Sequence, residues 1–207
     1  MTIADRFRGF LPVVIDLETG GFNANTDAIL EMASVVIRMD DDGYVYPGER
    51  LFFNIAPFEG ANIEPASLEF TGIDPGHPFR DEVSEVKAFT ATFDGIRKEM
   101  KQTRCTRAIL VAHNAAFDHA FIRQAVMRCG IKRSPFHPFS AFDTVSLGGL
   151  AVGQTVLAKA CRACGLEFED QEAHTALYDC DKTAELFCYI VNQWQPLLDL
   201  SRVSDEL

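Results

Sequence analysis

A mixed α/β fold, with a five-stranded sheet flanked by helices on both faces, is predicted by three features of the sequence. The first part of the chain carries three apolar, β-branched runs joined by short connections. The remainder alternates apolar runs with stretches whose apolar residues recur at helical spacing. Finally, 47% of the 207 residues are apolar, enough for one substantial core in a chain too short for two full domains.

In chain order, residues 11–18 read as a central strand, rich in Val and Ile and closed by Thr19-Gly20-Gly21. A second strand spans 32–37 within 28–39 and a third 50–56, joined through the turn Asp40-Asp41-Asp42-Gly43. Strands connected this briefly pair as an antiparallel meander. Pro, Gly and Asn crowd 61–78, which predicts a loop with one short helix at 66–71. Residues 82–101 carry apolar side chains at 83, 86, 89, 93 and 96, a helical recurrence. A buried strand at 108–112 is followed by Asn114, placed to cap a helix that ends at Gly130. A short strand at 139–144 then precedes helices at about 155–164 and 175–194. This order, βββαβαβαα, suits a ribonuclease-H-like sheet, with the core at about 10–194 and a polar tail at 196–207.

Several function classes are excluded. The longest apolar runs, such as 108–112 and 11–15, fall far short of the ~20 residues that a membrane helix needs. The first ten residues lack the apolar stretch and cleavage site of a secretory signal, so a cytoplasmic location is expected. Six cysteines are scattered through predicted helices and read as reduced apolar fillers. Cys161-x-x-Cys164 has no second Cys/His pair at ligand spacing and opens no βαβ unit, so it is not read as a zinc or redox motif. A formal charge of −11 argues against nonspecific coating of nucleic acid. Acidic residues gathered at a metal site would raise that total, however, while local basic clusters could still form a stripe.

Three short segments carry the chemistry. Asp16-x-Glu18 breaks an apolar central strand, and residues two apart project from one face, so both carboxylates converge at the strand's end. Such a pair repels and pays desolvation unless a divalent cation relieves it. Asp118, in His113-Asn-Ala-Ala-Phe-Asp118, lies one turn into a helix, where the dipole alone would favour it. His174-Thr-Ala-Leu-Tyr-Asp179 sets a histidine before a helix and an aspartate about one turn inside. Taken singly, each has an ordinary structural explanation. Together, four carboxylates and an imidazole match the needs of two-metal hydrolysis, with cations ~3.5–4 Å apart and a base titrating near neutral pH.

In order and spacing these segments resemble the three exonuclease motifs of the DEDDh family of 3′→5′ exonucleases. Within that family, Ile15-Asp16-Leu17-Glu18-Thr19-Gly20-Gly21-Phe22-Asn23 and the segment from Phe142 to Cys161 are similar to the ribonuclease T subfamily. The resemblance runs from about Phe10 to Trp194 and implies one DEDDh domain. It implies that Asp16, Glu18 and Asp179 ligate two Mg²⁺, or Mn²⁺, with Asp16 bridging, and that Asp118 supports the second ion. His174 would take the proton of the attacking water. The expected activity is trimming of tRNA and other stable RNA 3′ ends, releasing nucleoside 5′-monophosphates, with single-stranded DNA also cut.

Phe22, Phe70, Phe117 and Phe139 lie near the motifs. Packing explains any one phenylalanine in a chain holding 17, but stacking worth ~1–3 kcal/mol per base could also hold a single-stranded 3′ end. The sequence departs from the resemblance at Ala66, where a glutamate is expected, which bears on discrimination among terminal bases. The resemblance further implies a homodimer in which Arg6, Arg8, Lys101, Arg107 and Lys132 of one subunit guide RNA into the other's site. A proofreading DNA exonuclease, an oligoribonuclease or an inactive RNA-binding module are the alternatives. His77, His119 and His137 lack ligand-spaced partners and receive no role.

Overall fold

The structure, a computed structural model, describes residues 1–196. The tail expected at 196–207 lies, from 197 on, outside the described residues. A turn of helix, α1 (Ile3–Arg6), leads into β1 (Phe10–Thr19), β2 (Ile29–Met39) and β3 (Val45–Ala56). Then come α2 (Pro65–Thr71), β4 (Glu82–Ser84) and α3 (Glu85–Gln102). The second half runs β5 (Arg107–Ala112), α4 (Ala115–Arg128), β6 (Phe136–Asp143), α5 (Thr144–Val152), α6 (Leu157–Ala163) and α7 (Ala176–Gln193).

One mixed sheet has the order β4-β3-β2-β1-β5-β6. The first three strands form the expected antiparallel meander, while β5 runs parallel to both β1 and β6. Strand periodicity divides the core in two. Leu11, Val13, Ile15 and Leu17 of β1 pack beneath Phe89 and Phe93 of α3 and Phe121 of α4. Val14 faces the opposite side with Val35, Val111 and the α7 residues Ala176, Cys180, Ala184 and Phe187. A chain-central β1 buried on both faces is thus closed by α3 and α4 on one side and α7 on the other.

The fold class is as the sequence predicts, with a sixth strand added. Residues 82–84 were expected to begin a helix; they pair instead with Asn54–Ala56 as β4, and Ser84 caps α3 through a hydrogen bond from Lys87 N. The Gly148-Gly149 pair hid α5, because glycine is a poor helix former. That helix approaches residue 154 so closely that a Cβ on Gly148 would lie 2.9 Å from the Gln154 carbonyl oxygen. Asn114 holds the N-cap position of α4 as expected, but in a left-handed conformation (φ 70°) and with no side-chain cap bond. All six cysteines are free, five of them buried, in keeping with a packing role. No helix among the described residues is long and apolar enough to cross a membrane.

Candidate active site

The pairing of β1 explains why its end is reactive. Parallel pairing with β5 stops at Val14–Val111, whereas antiparallel pairing with β2 continues to Glu18–Glu31. Asp16 and Glu18 therefore project where the sheet opens on one side, on the face that α7 covers. Crevices at the carboxyl ends of strands, where chain connections diverge, are the ligand sites of open α/β sheets.

Asp118 enters from the first turn of α4 and is buried, 4% exposed. Its carboxylate accepts hydrogen bonds from its own backbone N–H and from that of Leu17, tying helix to strand. The missing cap of α4 comes from Asp143, at the end of β6. Its carboxylate accepts from Asn114 N (3.2 Å) and Ala115 N (3.1 Å), and also from Val145 N (2.9 Å) at the start of α5. One side chain thus meets two helix N-termini, where a negative charge is favoured. Beside it His113 is fixed by Thr144 Oγ1 (2.9 Å) and the Thr155 carbonyl (3.1 Å), a structural histidine whose burial pulls its pKa down. Sequence reasoning gave Asp143 no role; it follows an aromatic strand residue and precedes Thr144, a helix-start signal.

The third segment supplies Asp179 and His174. Asp179 lies in the first turn of α7 and its Oδ2 accepts from His174 N (3.1 Å), while its Oδ1 is buried without a hydrogen-bond partner. His174 takes positive φ (66°), uncommon for a residue with a side chain, so the Asp179 contact is made at some backbone cost. Its exposed ring lies against Phe70 with centroids 4.2 Å apart. Glu31, unremarked in the sequence, faces Glu18 across the β1–β2 pair and accepts from Ala176 N (3.2 Å) at the start of α7.

The electrostatics mark the cluster out. Burial raises the Asp16 carboxyl well above the usual range, and the charges of Asp118, Glu18, Asp179 and Glu31 raise it further. Glu18 is pushed up to about 8, first by burial and then by Asp179 and Glu31. Burial also raises Asp118 and Asp179, against opposing backbone hydrogen bonds. Among the described residues no three such side chains stand in ready-made ligand geometry. The hard oxygen donors, their raised pKa values and the orphaned Asp179 Oδ1 all fit a divalent cation.

A pH dependence follows. The folded-state pKa of Glu18 lies above its ordinary value of 4.5, so the folded protein holds that proton longer than the unfolded chain. Its contribution is fully present below 4.5 and is lost as pH rises through about 8. In chelator, the melting temperature is expected to fall between those limits, less steeply in Glu18→Gln, and a divalent cation should restore it at alkaline pH. Calorimetry checks this; a metal-free melting temperature that climbs across the window would contradict it.

Two cavities take in carboxylates of the cluster. One of about 560 Å³ contains Asp16, His113, His174 and Asp179. The other, about 360 Å³, is lined by Glu18, Phe22, Ala66, Phe70 and Phe117. Phe22 and Phe70 are 83% and 64% exposed, too open for a packing role to account for them. The fourth expected phenylalanine is not brought to this slot: Phe139 meets His137 edge to face and lines a separate cavity with Arg107 and Arg123. It follows the amino end of β6, away from the carboxyl ends where the motifs converge.

The basic residues also divide. Arg6 is turned inward, its guanidinium donating to the carbonyls of Gly43 and Val191, so it leaves the expected stripe. Arg8, Lys101, Arg107 and Lys132 are exposed. Arg8 and Arg107 stand at the amino ends of β1 and β5, where Phe10 pairs with Arg107, while Lys101 lies near the end of α3 and Lys132 between α4 and β6. At the usual rise per residue, that end of β1 lies about 25 Å from Glu18.

The family RNase_T, described as exonuclease, matches residues 13–187. A ribonuclease T of Photorhabdus laumondii is 60% identical over 195 residues, covering 94% of this chain and 90% of the relative. A ribonuclease T of Shewanella sp. strain W3-18-1 is 58% identical over 192 residues, covering 93% and 86%. Among solved structures, E. coli exonuclease I in complex with a dT13 oligonucleotide superposes with a TM-score of 0.66 at 18% identity, over 92% of this chain and 43% of that one. Exonuclease I from Methylocaldum szegediense gives 0.65 at 19%, over 90% and 41%. The chain spans less than half the length of these solved proteins, and their likeness is one of fold.

Proposed function

Because the chain belongs to the RNase_T exonuclease family, we propose that it is a 3′→5′ exoribonuclease of the DEDDh type, a single domain that trims tRNA and other stable RNAs in the cytoplasm. The observation that carries this is the meeting of Asp16, Glu18, Asp118 and Asp179 at one strand end, beside a slot of phenylalanines.

The four carboxylates would hold two Mg²⁺, with Mn²⁺ as a substitute. When bound, the ions activate water and neutralise charge developing on the phosphate and the leaving oxygen. The chain's own groups do the rest. Phe22, Phe70 and Phe117 take the terminal bases by their faces and set the last phosphodiester against Asp16 and Glu18. A ring nitrogen of His174 accepts a proton from the attacking water. The new water-oxygen-to-phosphorus bond forms as the bond from phosphorus to the 3′-oxygen breaks. That oxygen takes a proton from solvent water to become the 3′-hydroxyl of the shortened RNA, His174 returns its proton to solvent, and a nucleoside 5′-monophosphate departs. Stacking does not read the 2′-hydroxyl, so single-stranded DNA is also a substrate.

The chain acts as a homodimer. Arg107, level with Phe10 at the amino end of β1, stands about 25 Å from Glu18 of its own subunit, too far to grip the last nucleotide, so with Arg8, Lys101 and Lys132 it serves RNA bound in the partner's site. Purified protein with Mg²⁺ is expected to release mononucleotides from a tRNA with a short 3′ overhang faster than from single-stranded DNA or a dinucleotide. A preference for the dinucleotide would instead indicate an oligoribonuclease, and RNA binding without release an inactive module.

A further inference from the structure

We propose that Arg162 is a positioning residue for the hydrolysis, clasping the segment that leads into His174 and so keeping the imidazole at the carboxylates. This rests on the exonuclease reading, with His174 as proton acceptor. Residues 164–175 join α6 to α7. On its downstream side His174 is held by its own N–H, which donates to Asp179 Oδ2, and by Ala176 N, which donates to Glu31. Both acceptors are carboxylates of the cluster, whose oxygens a divalent cation would also claim. A side-chain-bearing residue at positive φ persists only where its surroundings over-determine it, so His174 needs an upstream hold as well.

Arg162 supplies it from the last turn of α6, a helix seated by the fully buried Cys161 against Leu186 and Ile190 of α7. Its Nη2 donates to the Phe168 carbonyl (3.2 Å) and meets Asp170 Oδ1 at 2.7 Å, while the guanidinium lies over the Phe168 ring, 5.7 Å from its centroid. Phe168 stands edge to face with Tyr178 of α7 at 5.2 Å, and the Tyr178 hydroxyl accepts from Glu169 N. Short bonds then carry the clasp towards the base. Glu172 N donates to the Glu169 carbonyl (3.1 Å), and Thr175 Oγ1 donates to the Glu172 carbonyl (3.1 Å). Only residues 171–173 separate Asp170 from His174, and both line the cavity that contains Asp16 and Asp179.

An exposed ion pair contributes little by itself, and the Arg162 and Asp170 side chains are 47% and 74% exposed. This clasp is stronger than the pair because the same guanidinium also fixes a main-chain carbonyl and covers an aromatic ring. Since both side chains face solvent, removing either leaves the core intact and changes only where the segment lies. Held by one anchor fewer, the imidazole spends less time in place, and the rate falls with that fraction. A role limited to screening the Asp170 charge from RNA would act on binding instead.

The test follows mononucleotide release from a single-stranded RNA in Mg²⁺. Arg162→Ala, which loses every contact of the clasp, is expected to lower kcat about tenfold, and Asp170→Asn, which loses the ion pair, about threefold. Arg162→Lys keeps the charge and should stay within about threefold of the wild type. In a His174→Asn background, Arg162→Ala should lower the rate no further, because a residue that acts through the imidazole is silent without it. Hydrogen exchange across 169–175 should quicken in Arg162→Ala while the melting temperature holds. A raised KM at constant kcat in Arg162→Ala, with Asp170→Asn harmless, overturns the assignment and leaves the exonuclease intact. So does an equal loss of rate with and without His174. Absence of release by the wild type would instead sink the exonuclease reading itself.

Discussion

Asp16→Asn is expected to abolish mononucleotide release, by roughly a thousandfold or more, while raising the melting temperature of the metal-free protein. The first effect follows from removing a negative oxygen donor at the centre of the cluster, where charge stabilisation by divalent ions is worth several kcal/mol, and about 4 kcal/mol is a factor of a thousand. The second follows from the electrostatics of this fold. Asp16 is held among Asp118, Glu18, Asp179 and Glu31, all of which oppose its ionisation, so a neutral amide relieves repulsion that the carboxylate suffers. Binding of RNA, carried by stacking and by residues outside the cluster, should persist. Release assays, fluorescence anisotropy and calorimetry in chelator give the three readouts. A variant that unfolds at lower temperature and still releases nucleotide would refute the cluster as described.

His174→Asn is the second large effect, an expected loss of about 10²–10⁴-fold in kcat with little change in Mn²⁺ affinity. Asparagine is the apt substitution, because position 174 has positive φ and asparagine tolerates that conformation better than alanine. The backbone bond from residue 174 to Asp179 Oδ2 is retained, so the carboxylates stay where they are. A variant that keeps its rate, or loses metal affinity in proportion to rate, would reassign His174 from proton acceptor to structural support.

Much of this protein can be read from local pattern. The apolar run through residues 11–15 fixes β1, and its two carboxylates converge because side chains two apart must share a face. The turn at Asp40–Gly43 fixes the meander, and the motif spacings around Asp118 and Asp179 put each aspartate in the first turn of a helix. These features depend on neighbours in sequence, so sequence suffices for them.

The tertiary structure decided the rest. Asn114 has the composition of a helix cap, yet the capping oxygens belong to Asp143, which β6 delivers from 29 residues away along the chain. Arg6 has the charge for RNA but spends it on two carbonyls inside the protein, and Phe139 lies apart from the other three phenylalanines because β6 starts at the far end of the sheet. Glu31 joined the cluster through a strand pairing that no local pattern encodes. Residue type and spacing state what a side chain is able to do. Which partner it meets is set by packing across the sheet, and burial then determines which of those abilities is used.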